Sequence, residues 1–166
     1  FKPLKKGEVK LYSCGPTVYN FVHIGNLRSF VFSDVLSRVL RYFNYKVENV
    51  WNLTDVDDKT IKASKEESAK TPVEKLSKLT KKYTEVFFED CEKLNIKLPS
   101  KVLKATGSIS EMEFLINELF DKGYAYETDD GIYFNVRKDK NYGQLVKIDF
   151  SSQKHNEENR VVSDEY

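Results

Sequence analysis

Residues 8–43 read EVKLYSCGPTVYNFVHIGNLRSFVFSDVLSRVLRYF, and the reading of this stretch decides the fold. Val9, Leu11 and Tyr12 make a short β-branched and aromatic run within Glu8–Tyr12, which Gly15-Pro16 ends. From Leu27 onward Phe30, Val31, Val35, Leu36, Val39, Leu40 and Phe43 recur at three- and four-residue steps. That spacing predicts an amphipathic helix from Gly25 to about Phe43. His23, Gly25 and Asn26 therefore fall where a strand hands over to a helix N-terminus. Unpaired backbone N–H groups and the positive end of the helix dipole converge at such a place, and phosphate binds there readily.

Downstream, Asn44-Tyr45 turns the chain and Lys46–Trp51 reads as a second strand. Strand, helix and strand of this length make a right-handed βαβ unit with parallel strands, so the fold class is α/β. Ligands bind at the C-terminal edges of such strands. Cys14, ending the first strand, and Thr54, just past the second, share that edge. Asp55, Asp57 and Asp58 follow without the Gly and distal Glu of a calcium loop, and they read as an Asp-rich turn capping a helix from near Lys59.

A polar break spans residues 65–70, and Thr71-Pro72-Val73-Glu74 is a capping box with Pro at the first helical position. The helix it opens carries Leu76, Leu79, Tyr83, Val86, Phe87 and Leu94 on one face, with Cys91 a small buried hydrophobe, and Leu98-Pro99 is expected to stop it. Ser108-Ile109-Ser110-Glu111 reads as a second capping box, opening a helix through Asp121 that Gly123 ends. Residues 124–128 and 132–136 alternate around Asp129-Asp130-Gly131, a hairpin signal. The chain from Val146 is polar and patternless.

Three motifs carry a family resemblance: Cys14-Gly15-Pro16-Thr17-Val18-Tyr19-Asn20, His23-Ile24-Gly25-Asn26, and Asn52-Leu53-Thr54-Asp55-Val56-Asp57-Asp58-Lys59. In this order and spacing they resemble the cysteinyl-tRNA synthetases, in the N-terminal half of their class I catalytic domain. The resemblance implies a Rossmann-like parallel-sheet domain interrupted by an inserted α+β connective segment. It divides the chain into a catalytic first half at 1–95, the insertion at 96–145 and an irregular tail at 146–166. It also implies ATP-dependent activation of L-cysteine and transfer to tRNA(Cys), with magnesium accompanying ATP and zinc recognising the substrate thiol.

Activation expels pyrophosphate from ATP and builds negative charge on phosphoryl oxygens, so the site needs fixed hydrogen-bond donors. On the resemblance, His23 and Asn26 are catalytic, and both contact ATP with Gly25, whose smallness lets the nucleotide lie against backbone. Cys14 is a zinc ligand and lines the cysteine pocket with Tyr19 and with Thr54, which matches the family's Thr beside the substrate amino group and thiol. The aspartate loop takes a positioning role without metal. Asn20 stands where the family commonly has Asp, Asn26 where a second His is frequent, and Gly107-Ser108 where a His-rich pair follows the Ala-Thr dipeptide. The family's other zinc ligands, its lysine-rich signature loop and its anticodon-binding domain match nothing in these residues. The chain therefore reads as a piece of a longer enzyme, inactive alone.

The 166 residues are 40% hydrophobic and 32% charged, with net charge +1. No apolar run approaches the ~18 residues of a membrane span, and no charged-then-apolar leader opens the chain. The expectation is a cytoplasmic monomer with no membrane partner. Cys14 and Cys91 are the only cysteines, read as reduced thiols rather than a disulfide framework. Between Lys59 and Lys104 twelve Lys face seven Asp or Glu, and Lys75, Lys78 and Lys82 share a helix face, either a solvated surface or a positive one near RNA. Two rival functions remain open at this point. One is a cysteine-activating ligase of mycothiol biosynthesis; the other is a non-catalytic nucleotide- or zinc-binding module.

Overall fold

The computed structural model describes residues 1–144, so the tail expected at 146–166, with His155, lies outside the described residues. By its internal contacts the chain falls into two units, Phe1–Ile109 and Ser110 onward. The first unit holds β1 (Glu8–Ser13), α1 (Ile24–Tyr42), β2 (Lys46–Leu53), α2 (Asp58–Ser64), α3 (Pro72–Lys93) and β3 (Lys101–Lys104). Its three strands are parallel in the order β1-β2-β3. The βαβ expectation therefore holds, and β3 is a strand that the sequence did not announce. It is only four residues long with one half-buried position, too short for alternation to register.

The core lies where α1, β2 and α3 meet. Phe30 packs against Trp51 and Phe87 at centroid distances of 5.3 and 4.9 Å, with Cys91 and Ile96 completing the buried cluster. Each fully buried side chain of this size contributes about 1.5–3 kcal/mol. The Thr71 capping box forms, with Glu74 N–H donating to Thr71 Oγ1 and the Glu74 carboxylate accepting from Thr71 N–H. The expected stop at Leu98-Pro99 is corrected. The helix ends at Lys93, and Asn95 adopts φ 55° behind it, the left-handed conformation that asparagine tolerates.

The expected burial of α1 is also corrected. Phe30 is buried, but the rest of its inward face is Ser33, Asp34 and Ser37, while Val31, Val35, Leu36 and Val39 are exposed. Polar ties set this orientation. Ser33 and Ser13 hydroxyls meet at 2.6 Å. Arg38 donates to Asp34 at 2.8 Å and to the Asn95 carbonyl at 2.7 Å, fastening α1 to the end of α3. Periodicity shows that a helix has an apolar side, not which side the crossover turns inward.

Burial and the neighbouring Asp90 push the Cys91 thiol from 9.0 up to about 11. The folded chain thus holds the proton more tightly than the unfolded one. Stability from this group is whole below pH 9 and is lost as pH climbs through about 11. A Cys91→Ala variant, less stable at neutral pH, should lack this component. Urea unfolding at a series of alkaline pH values checks it, and parallel curves for the two proteins would refute it.

The second unit contains α4 (Ile109–Asp121), then β4 (Ala125–Thr128) and β5 (Gly131–Phe134) in an antiparallel hairpin. Gly123 ends α4 with φ 72°, as its position predicts. The second capping box does not form. Ser108 sits in a 3₁₀ turn at Thr106–Ser108, and its hydroxyl donates to the Lys104 carbonyl at 3.0 Å. Tyr126 and Tyr133 stack across the hairpin at 5.8 Å.

Candidate functional site

The loop leaving β1 and the start of α1 enclose a cavity of about 440 Å³, lined among others by Cys14, Tyr19, His23, Asn26 and Lys59. Four of the six residues singled out in the sequence therefore come together. Thr54 and Gly25 are not among the lining residues. Thr54 is nonetheless fixed to the same loop: its N–H donates to the Pro16 carbonyl at 3.0 Å and its carbonyl accepts from Val18 N–H at 3.2 Å.

His23 is the N-cap of α1, and capping determines the polarity of its ring. Gly25 N–H donates to Nδ1 at 3.1 Å, so Nδ1 is the acceptor and the neutral ring carries its proton on Nε2. Asn26 Oδ1 accepts from His23 N–H at 3.3 Å, which leaves the Asn26 NH₂ to donate elsewhere. Both side chains spend their acceptors on the helix end and keep donors for a ligand. An added Cβ on Gly25 would lie 2.9 Å from His23 Cε1, so the glycine makes room for the capping ring.

Cys14 is exposed, its thiol 3.6 Å from the Gly15 carbonyl. Gly15 sits so tightly on β2 that a Cβ there would lie 1.6 Å from the Asn52 carbonyl oxygen. Among the described residues no group of three or more His, Cys, Asp or Glu is arranged to hold a metal ion. For zinc these residues offer one thiolate, less than a site.

The aspartates divide their work. Asp57 caps α2, accepting from Thr60 N–H at 2.8 Å, as the capping reading predicts. Buried Asp55 accepts from Thr106 N–H at 2.9 Å and from its hydroxyl at 2.6 Å, joining the exits of β2 and β3. Lys75 and Lys78 donate to the Lys65 and Ser68 carbonyls, and Lys78 also pairs with Glu67 at 3.0 Å. These two lysines fasten the α2–α3 connection.

Sequence reasoning assigned no role to Asn52 or Lys59. The Lys59 ammonium lies 5.9 Å from the Tyr19 ring centroid and brings a positive charge to the cavity. Both residues stand inside a quoted motif, Asn52–Lys59, but only the fold shows them turned toward the Cys14 loop.

Residues 1–165 match the family model described as tRNA synthetases class I (C) catalytic domain. The chain is 47% identical over 166 residues to a cysteine–tRNA ligase of Brachyspira hyodysenteriae, covering all of this chain and 34% of that protein. It is 45% identical over 152 residues to a cysteine–tRNA ligase of Methanosarcina mazei, covering 92% of this chain and 31% of that protein. The chain thus spans about a third of the length of the curated relatives it matches. A solved structure described as an arginyl-tRNA synthetase of Campylobacter jejuni superposes with TM-score 0.65 at 15% identity, covering 84% of this chain and 40% of that one, which shows the shared fold. Among the described residues no helix is long and apolar enough to cross a membrane.

Proposed function

The chain belongs to the class I (C) tRNA synthetase catalytic-domain family, and from that membership we propose that it is the N-terminal catalytic part of a cytoplasmic cysteine–tRNA ligase. The reaction is ATP-dependent formation of cysteinyl-adenylate followed by transfer to tRNA(Cys). The observation that carries this reading is the α1 cap. His23 and Asn26 present donors beside a cavity that Cys14 and Tyr19 also line.

In the proposed reaction the cysteine carboxylate attacks the α-phosphorus of ATP, and pyrophosphate leaves. Charge grows on the phosphoryl oxygens, where His23 Nε2–H and the Asn26 NH₂ stabilise it without reorganising. The Lys59 ammonium adds a fixed positive charge, and magnesium accompanies the nucleotide. Gly25 keeps the helix start open, while Tyr19 and Thr54 shape the amino-acid end. Cys14 contributes a single thiolate toward zinc, which selects thiolate over hydroxyl. Further ligands have to come from outside the described residues, and no step is assigned to the metal. Residues 96–145 are read as the connective insertion.

Cysteine-dependent ATP–pyrophosphate exchange by the whole protein, followed by charging of tRNA(Cys) transcript, tests the proposal. Exchange should require cysteine and not run with serine, and the activated residue should appear on tRNA. Transfer to an amino sugar instead of tRNA, or no exchange, would overturn it.

A further inference from the structure

Asn52 stands near the end of β2, and its amide reaches both halves of the site. Its Oδ1 lies 2.7 Å from the Gly15 backbone nitrogen and 3.1 Å from the Tyr12 hydroxyl, while its Nδ2 lies 3.1 Å from Thr54 Oγ1. A backbone N–H can only donate, so the atom facing Gly15 must be the amide oxygen, and this fixes which way the amide is turned. The NH₂ that consequently faces Thr54 can only donate in its turn. Thr54 Oγ1 is therefore the acceptor in that bond, and its own hydrogen must point elsewhere. No hydrogen bond donated by the Thr54 hydroxyl occurs among the described residues.

We infer that Asn52 is a positioning residue that holds the Cys14-Gly15 turn against β2 and presents the Thr54 hydroxyl to the bound amino acid as a hydrogen-bond donor. This rests on the cysteine-activation reading and deepens it. The Asn52 NH₂ takes one of the two lone pairs on Thr54 Oγ1 and leaves the second free to accept from a substrate ammonium, while the hydroxyl hydrogen is matched to an acceptor atom, the sulfur of a thiolate or an oxygen of the carboxylate. Specificity thus begins at Gly15 N–H and is passed through one amide to one hydroxyl.

The substitution Asn52→Asp tests this with little change of shape. A carboxylate still accepts from Gly15 N–H and Tyr12, but toward Thr54 it is an acceptor, and it draws the hydroxyl proton inward. In the whole protein, Asn52→Asp and Thr54→Val should each raise the KM for cysteine about tenfold, the scale of one lost hydrogen bond. The KM for ATP should stay within about twofold, which general damage to the fold would not permit. Combined, the two changes should do no more than either alone, because both remove the same donor. An equal effect of Asn52→Asp with and without Thr54 would overturn the inference, as would a cysteine KM within about twofold of the parent.

Substrate-free unfolding separates this from the functional reading. For Asn52→Ala and Thr54→Val, the loss of Tm in the double variant should fall about 2 °C short of the summed single losses. Additive losses overturn the Asn52–Thr54 link whatever the substrate is. A protein that shows the coupling but no cysteine-dependent exchange refutes the synthetase reading and, with it, the role of Thr54 toward cysteine.

Discussion

Gly15→Ala should cripple the protein. The new methyl carbon would lie 1.6 Å from the Asn52 carbonyl oxygen and 2.8 Å from its carbon, both backbone atoms that no rotamer change can move aside. Either β1 and β2 separate at their C-terminal ends or the Cys14 turn lifts away. Separation costs packing on the order of overfilling a core, up to about 3 kcal/mol. For a unit of this size, Phe1–Ile109, that corresponds to a Tm lower by up to about 13 °C. Lifting the turn breaks the Gly15–Asn52 bond and moves Cys14 relative to Thr54, so cysteine-dependent exchange should vanish even where fold survives. Thermal unfolding and exchange, measured side by side, check this. A variant with parental Tm and parental exchange would show that the strands do not approach so closely.

The second large effect is expected at His23. Replacing it with Asn keeps a side chain suited to the N-cap and removes the Nε2 donor. Loss of one preorganised donor to developing charge typically costs on the order of 10²–10³ in rate. His23→Asn should lower the rate of cysteine-dependent exchange by that factor while Tm is unchanged. His23→Ala should show the same loss of rate and, in addition, about 1 kcal/mol of lost capping. The pair of variants separates chemistry from support. A rate for His23→Asn within about threefold of the parent would remove His23 from the catalytic set.

The βαβ unit was legible because its signals are local. Short β-branched and aromatic runs mark β1 and β2, helical spacing marks α1, and Pro72 with Glu74 marks the start of α3. Cys14 and Thr54 follow the ends of adjacent parallel strands and so share one edge of the sheet, where Thr54 N–H donates to the Pro16 carbonyl of the Cys14 loop. The inward face of α1 was not legible, since its orientation rests on ties to other segments: Ser33 to Ser13, Arg38 to the Asn95 carbonyl and Arg41 to the Val47 carbonyl. Asn52 was invisible for another reason. Its importance lies in three partners on two segments, and one of them is a backbone N–H that no side-chain pattern encodes.

The two thiols differ so much in surroundings that the chain carries its own reporter. Cys14 opens to solvent at the cavity, while Cys91 is sealed in the core with its thiol held protonated. Alkylating reagents attack thiolates that they can reach, so under native conditions a maleimide dye meets only Cys14 among the chain's two cysteines. No cysteine has to be engineered in or out to obtain a singly labelled first unit. A fluorophore there would sit at the mouth of the cavity, where protection from labelling by a small ligand becomes a direct optical measure of occupancy.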